Sequence, residues 1–292
     1  MKKVLIAFLV LAVTLSLCAC GTSTPDTGSK STATVKTKDA NADAENFPET
    51  VLVDNESCSI TVKSISVSSS EYTLKVALQN KTDLNLMFSV DSATVDGWDL
   101  DPFWADTVTP GMQAVSNISF SVSDLKECGI TAVNCIRLSF RVYDSDDWTA
   151  ENVLNEEFVI YPLGAQSFTP TYRTPAETDT VLTETDAYSI VVTGFDPDNF
   201  WGYTMKLYLC NKTGSTLMFS VQDAAVNGIM CDPFWATSVA PGSQKLSNVS
   251  WSDSTLKECG ITAISELSLP FSVTDEATFD HLCEETFVVN PK

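Results

Sequence analysis

Imidazole chemistry has one candidate in this chain, because His281 is the single histidine among 292 residues. No Gly-x-Ser-x-Gly elbow, glycine-rich phosphate loop or His-Glu-x-x-His zinc motif accompanies it. Carboxylates are plentiful, and glycoside hydrolysis needs only two of them. Without a cleft to set their spacing they specify no reaction, so no catalytic residue is expected. Asp144-Ser145-Asp146-Asp147 and Asp196-Pro197-Asp198 carry the oxygen ligands that calcium takes, but lack the glycine and distal glutamate of a calcium loop. They read as solvated turns, and no metal or cofactor is expected. The best candidates for ligand contact are two aromatic pairs, Phe103-Trp104 and Phe234-Trp235, each preceded by a proline. Proline favours an extended neighbour, and adjacent residues of an extended chain point to opposite faces. Either one ring of each pair stays at the surface, where a tryptophan could stack on a sugar ring or anchor a protein, or the segment folds over a sheet edge and buries both. Burial of both is the expectation favoured by packing.

These pairs recur because the chain is internally duplicated at an offset of 131 residues: residues 80–144 and 211–275 are identical at 37 of 65 positions. The matching blocks are Asn80-Lys81-Thr82 with Asn211-Lys212-Thr213, 86–90 with 217–221, Asp101-Pro102-Phe103-Trp104-Ala105 with Asp232-Pro233-Phe234-Trp235-Ala236, Pro110-Gly111 with Pro241-Gly242, and 125–130 with 256–261. The two copies must share a fold. Their apolar period is two: Tyr72, Leu74, Val76 and Leu78 alternate with Thr73, Lys75, Ala77 and Gln79, and Tyr203, Met205, Leu207 and Leu209 repeat the pattern. Further strands are predicted over 59–67, 87–95, 115–121, 132–142 and 152–160. A helical turn is predicted at 123–128, stopped by Gly129, with a twin at 254–259 before Gly260. Asp96-Gly97 and Asn227-Gly228 suit tight hairpin turns. The expectation is all-β, with sandwich domains over 47–162 and 182–292 joined by a linker at 163–181.

The order Asn-Lys-Thr, Asp-Pro-Phe-Trp-Ala, Pro-Gly and Leu-x-x-x-Gly-Ile resembles the immunoglobulin-like domain of uncharacterised lipoproteins from Gram-positive bacteria. The resemblance covers 57–162 and 186–291. It implies an architecture and a location rather than a reaction.

The N-terminus agrees with that location. Lys2 and Lys3, the apolar run 4–17 and Leu17-Cys18-Ala19-Cys20 form a three-part export signal. Its end resembles the lipobox of bacterial lipoproteins, which implies cleavage after residue 19 and lipidation of Cys20. Two acyl chains would then hold the protein on the extracytoplasmic face of the cell membrane. Residues 20–46 have no aromatic side chain and no apolar period, and are expected to be a disordered spacer of roughly 25 to 30 Å as a coil.

Formal charge is −21. Both copies share the imbalance, with 6 basic against 18 acidic residues in 47–162 and 5 against 14 in 182–292. Nucleic acid is therefore excluded as an expected partner, since phosphate binding needs a basic face. A cell-envelope polymer or another exported protein remains, bound by a non-catalytic module whose two copies supply avidity. Among the cysteines beyond the leader, Cys128 and Cys259 alone are equivalent and read as buried apolar positions, while a bridge among Cys210, Cys231 and Cys283 is open.

Overall fold

The computed structural model describes residues 44–291, so the export signal, Cys20 and nearly all of the spacer lie outside the described residues. The fold is an all-β sandwich. In the first copy, β1 (Thr50–Asp54), β2 (Cys58–Val67), β3 (Glu71–Asn80) and β7 (Gln113–Ser121) form one antiparallel sheet in the order β1-β2-β3-β7. It faces β4 (Leu86–Val95), β5 (Trp98–Asp99), β6 (Ala105–Val108), β8 (Ile136–Asp144) and β9 (Leu154–Ile160) across a core built on Ile60, Leu74, Phe88, Ile118 and Phe140. In the second copy, β10 (Thr180–Glu184), β11 (Tyr188–Asp196), β12 (Tyr203–Asn211) and β17 (Gln244–Trp251) repeat the first sheet's pairing. They face β13 (Leu217–Val221), β14 (Ala225–Val226), β15 (Ile229–Met230), β16 (Trp235–Val239), β18 (Leu267–Asp275) and β19 (His281–Val289). Even the irregularities recur: register shifts at Val51/Val53 and Val62/Ser64 have counterparts at Val181/Thr183 and Val192/Gly194.

Period-two patterning sets which face each strand buries. In β3 the alternating Tyr72, Leu74, Val76 and Leu78 are all buried. In β12 the intervening Tyr208 and Cys210 are buried as well, because they pack into the first copy's core cluster. The two copies share one sheet: β17 lies parallel beside β5, Gln244 N donates to Gly97 O at 2.9 Å, and a nine-stranded sheet runs through both.

The repeated Asn-Lys-Thr block is a loop clamp. Asn80 is fully buried; its amide donates to Leu84 O and Val108 O, and its Oδ1 accepts from the Thr82 N–H and hydroxyl. Asn211 does the same with Ser215, Val239 and Thr213. The predicted hairpin turns hold, with Asp96, Gly97, Asn227 and Gly228 all at positive φ, as a type I′ turn requires. The predicted helical turns are α1 (Val122–Glu127) and α2 (Asp253–Glu258), one residue earlier than the spacing indicated because Ser121 and Ser252 act as N-caps. Gly129 and Gly260 at positive φ end them, with Ile130 N donating to Leu125 O and Ile261 N to Leu256 O, both at 2.8 Å.

Candidate functional site

The Asp-Pro-Phe-Trp segment is neither extended nor folded away. The Asp101 carboxylate accepts the Phe103 N–H at 2.7 Å and the Asp232 carboxylate accepts the Phe234 N–H at 2.7 Å. Each Asp thereby closes a turn on itself, and Phe103 and Phe234 are held at φ 45° and 50°. The following tryptophan then enters the sandwich. Trp104 is 9% exposed, donates Nε1–H to Ser116 Oγ at 2.9 Å and meets Phe140 edge-on, which in turn meets Phe158. Trp235 is partly buried and repeats this with Ser247, Phe271 and Phe287.

The phenylalanines go the other way: Phe103 is 92% exposed and Phe234 89%. This corrects the sequence expectation twice. Both rings of a pair are not buried, and the exposed ring is phenylalanine, with Trp104 and Trp235 serving the core. The physical reason is the left-handed turn, which proline spacing alone does not predict. The signal that could have found it is the aspartate two residues before each phenylalanine.

Beside Phe234 lies an open cleft of about 430 Å³ lined by Val221, Gln222, Asp223, Asp232 and Trp235. In the first copy the corresponding region is roofed by the second copy. There Asp91, Asp99 and Asp101 face Ser238, Lys245 and Glu276 around a polar cleft of about 470 Å³. Asp99 is buried, accepts from Ala240 N at 2.9 Å and pairs with Lys245 Nζ at 3.2 Å. Burial raises its carboxyl above the ordinary value, with Lys245 and the Ala240 N–H opposing.

His281 contacts Ser272 Oγ at 3.4 Å and Glu284 at 3.3 Å, both through Nδ1. A serine–histidine–acid relay places the nucleophile and the acid on opposite ring nitrogens, and this cluster does not. The two aspartate runs are turns: Asp144 Oδ1 accepts from Asp146 N, Asp147 Oδ1 accepts from Thr149, and Asp196 accepts from Asp198 N and Asn199. Among the described residues no three His, Cys, Asp or Glu side chains converge to hold a metal ion. None of their helices is long and apolar enough to cross a membrane.

The cysteines considered for one bridge are dispersed. Cys210 lies in the junction beside Tyr208, Cys283 beside the Tyr188 hydroxyl, and Cys231 beside Cys259. Cys128 and Cys259 are half-buried rather than buried.

No protein-family model and no curated protein matches the chain. Two similar solved structures are red sea bream transglutaminase, at 11% identity and TM-score 0.24, and a protein of unknown function from Porphyromonas gingivalis W83, at 13% and 0.21. The aligned region covers 82% of this chain and 32% of the transglutaminase, so this chain spans about a third of that protein's length; for the second structure the shares are 78% and 94%.

Proposed function

We propose that the chain is a non-catalytic binding module of the cell envelope, anchored to the extracytoplasmic face of the membrane through a lipidated Cys20. Its two copies resemble immunoglobulin-like domains and act in tandem. The observation that carries the reading is the pair of exposed phenylalanines, Phe103 and Phe234, in identical strained turns. Folding has no use for them: a ring about nine-tenths exposed contributes almost no burial, and its backbone conformation costs energy that asparagine or glycine would spare. Both copies nonetheless keep it, although the aligned segment is identical at only 37 of 65 positions.

An exposed aromatic face suits the apolar face of a sugar ring, and two of them on one chain give avidity for a repeating polymer. The net charge of −21 disfavours a polyanion, so the ligand class is a neutral glycan strand. Docking of another exported protein on the same rings is the alternative that the experiment separates.

The test is cosedimentation of the full chain in detergent with insoluble cell-wall glycan, comparing wild type with Phe103→Asn, Phe234→Asn and the double variant. Each single variant is expected to weaken retention and the double variant to abolish it. Unchanged retention in the double variant, or no retention of the wild type, would overturn the glycan reading.

A further inference from the structure

Cys231 and Cys259 meet at the end of the second copy remote from the junction, since β17 runs from Gln244 beside β5 to Trp251 at that end. Cys231 follows β15, and its backbone is fixed on both sides: its N–H donates to Ala224 O at 2.9 Å and its carbonyl accepts from Trp251 Nε1 at 2.8 Å. Cys259 caps α2, and its sulfur approaches Met230 O at 3.8 Å. Met230 directly precedes Cys231, so the Cys259 thiol lies beside the Cys231 position. Both are free thiols in the structure. Cys231 is 3% exposed and Cys259 half-buried, so one sulfur is reachable and the other waits behind it.

The first copy supplies an internal comparison. Cys128 occupies the same cap there, but Leu100 stands where the second copy has Cys231. The helical turns differ accordingly: α1 buries Leu125, whereas α2 buries no residue fully. The second copy therefore lacks part of the packing that holds α1 and has a second sulfur in its place.

We propose that Cys231 and Cys259 are an oxidisable dithiol pair whose disulfide clasps α2 to the β14–β15 hairpin. The oxidant is a disulfide donor, R–S–S–R. The Cys259 thiolate attacks one donor sulfur, the donor S–S bond breaks and the first RS⁻ leaves, taking up a proton. The Cys231 thiolate then attacks Cys259 Sγ in the mixed disulfide and expels the second RS⁻, which is protonated in turn. The protein loses two hydrogens and the donor leaves as two thiols. Burial first, and then the adjacent Cys259 thiol and Asp232, hold the Cys231 thiol up at about 11. In the mixed disulfide burial and Asp232 still disfavour the Cys231 thiolate, so the resolving step quickens as pH rises.

The experiment treats the full chain in detergent with excess oxidised glutathione at mildly alkaline pH, unfolds and alkylates it without reduction, and maps the peptides by mass. The expected result is a peptide pair linked through Cys231 and Cys259, with Cys128 alkylated. The unfolding midpoint should rise on the order of 10 °C on oxidation and return on reduction. Leu100→Cys should gain the corresponding bridge to Cys128. The proposal is overturned if Cys231 and Cys259 are both alkylated after oxidation, if either links to a different cysteine, or if glutathione stays on Cys259 without resolution.

Discussion

At φ 45° and 50° the Cβ of Phe103 and of Phe234 crowds the adjacent carbonyl, at a cost of roughly 1 to 2 kcal/mol for an L-residue. Asn tolerates that region and leaves the aspartate-closed turn intact. Phe103→Asn and Phe234→Asn should therefore each raise the unfolding free energy by about 0.5 to 1 kcal/mol in urea titrations while removing ligand contact. A loss of stability instead would mean the rings pack in solution and would remove the argument for a binding role. Tyr72 presents the opposite case. Its ring is buried in the core and its hydroxyl is the one buried side-chain polar atom among the described residues without a hydrogen-bond partner. Burial pushes that hydroxyl's pKa far up. An unsatisfied buried hydroxyl costs on the order of 1 kcal/mol or more, so Tyr72→Phe should stabilise the chain by about 1 kcal/mol, read from the urea midpoint at unchanged slope.

Strands and turns carry most of what could be read in advance. Tyr72 to Leu78 show the sheet period because one face meets a core and the other meets water, and Asp96-Gly97 shows its turn because two positive φ angles admit few residue types. Tyr208 and Cys210 break the alternation of β12, and that break carried information: they face the first copy's core cluster instead of solvent. Periodicity within one copy cannot show this, since the partner face comes from residues more than a hundred positions away. The aromatic site was half legible for a similar reason. Identity and spacing drew attention to Phe103-Trp104, but the direction of each ring depends on the Asp101 side chain capturing the Phe103 N–H, a hydrogen bond that a hydrophobicity pattern does not contain. The repeated Asn-Lys-Thr block looked like a motif and is a structural device. Asn80 satisfies the carbonyls of Leu84 and Val108 inside the fold, so Asn80→Ala should cost about 3 kcal/mol or more by leaving buried acceptors unpaired. Asn211→Ala should cost as much; a loss below about 1 kcal/mol in chemical unfolding would show that water replaces the amide.

Across the whole molecule the two copies are joined by polar contacts as well as by a shared sheet. Gln244 accepts from the Tyr208 hydroxyl and from Arg173 N and donates to Thr171 O, so the segment between the copies is woven into the junction. Trp98 meets Tyr208 edge-on at 6.0 Å. Gly97 faces Pro170 so closely that an added Cβ would lie 2.5 Å from the proline Cβ, which leaves glycine as the residue that fits. Within this junction the Asp99 carboxyl has a raised pKa. It lies above the ordinary 3.8 because burial outweighs the attraction of Lys245. In the interval from about the unfolded value up to the raised folded value, the folded chain keeps a proton that the unfolded chain has released. Its contribution to stability is thus greatest below the unfolded pKa and declines as pH rises through the folded one. Asp99→Asn keeps an acceptor for Ala240 N but cannot ionise, so the wild-type minus variant difference in unfolding free energy should fall as pH is raised from about 3.5 through that interval and then level off. The measurement is a series of urea unfolding curves at stepped pH for both proteins. A difference that rises with pH would show that Lys245 outweighs burial, making the ion pair rather than the hydrogen bond the contact that holds the copies together.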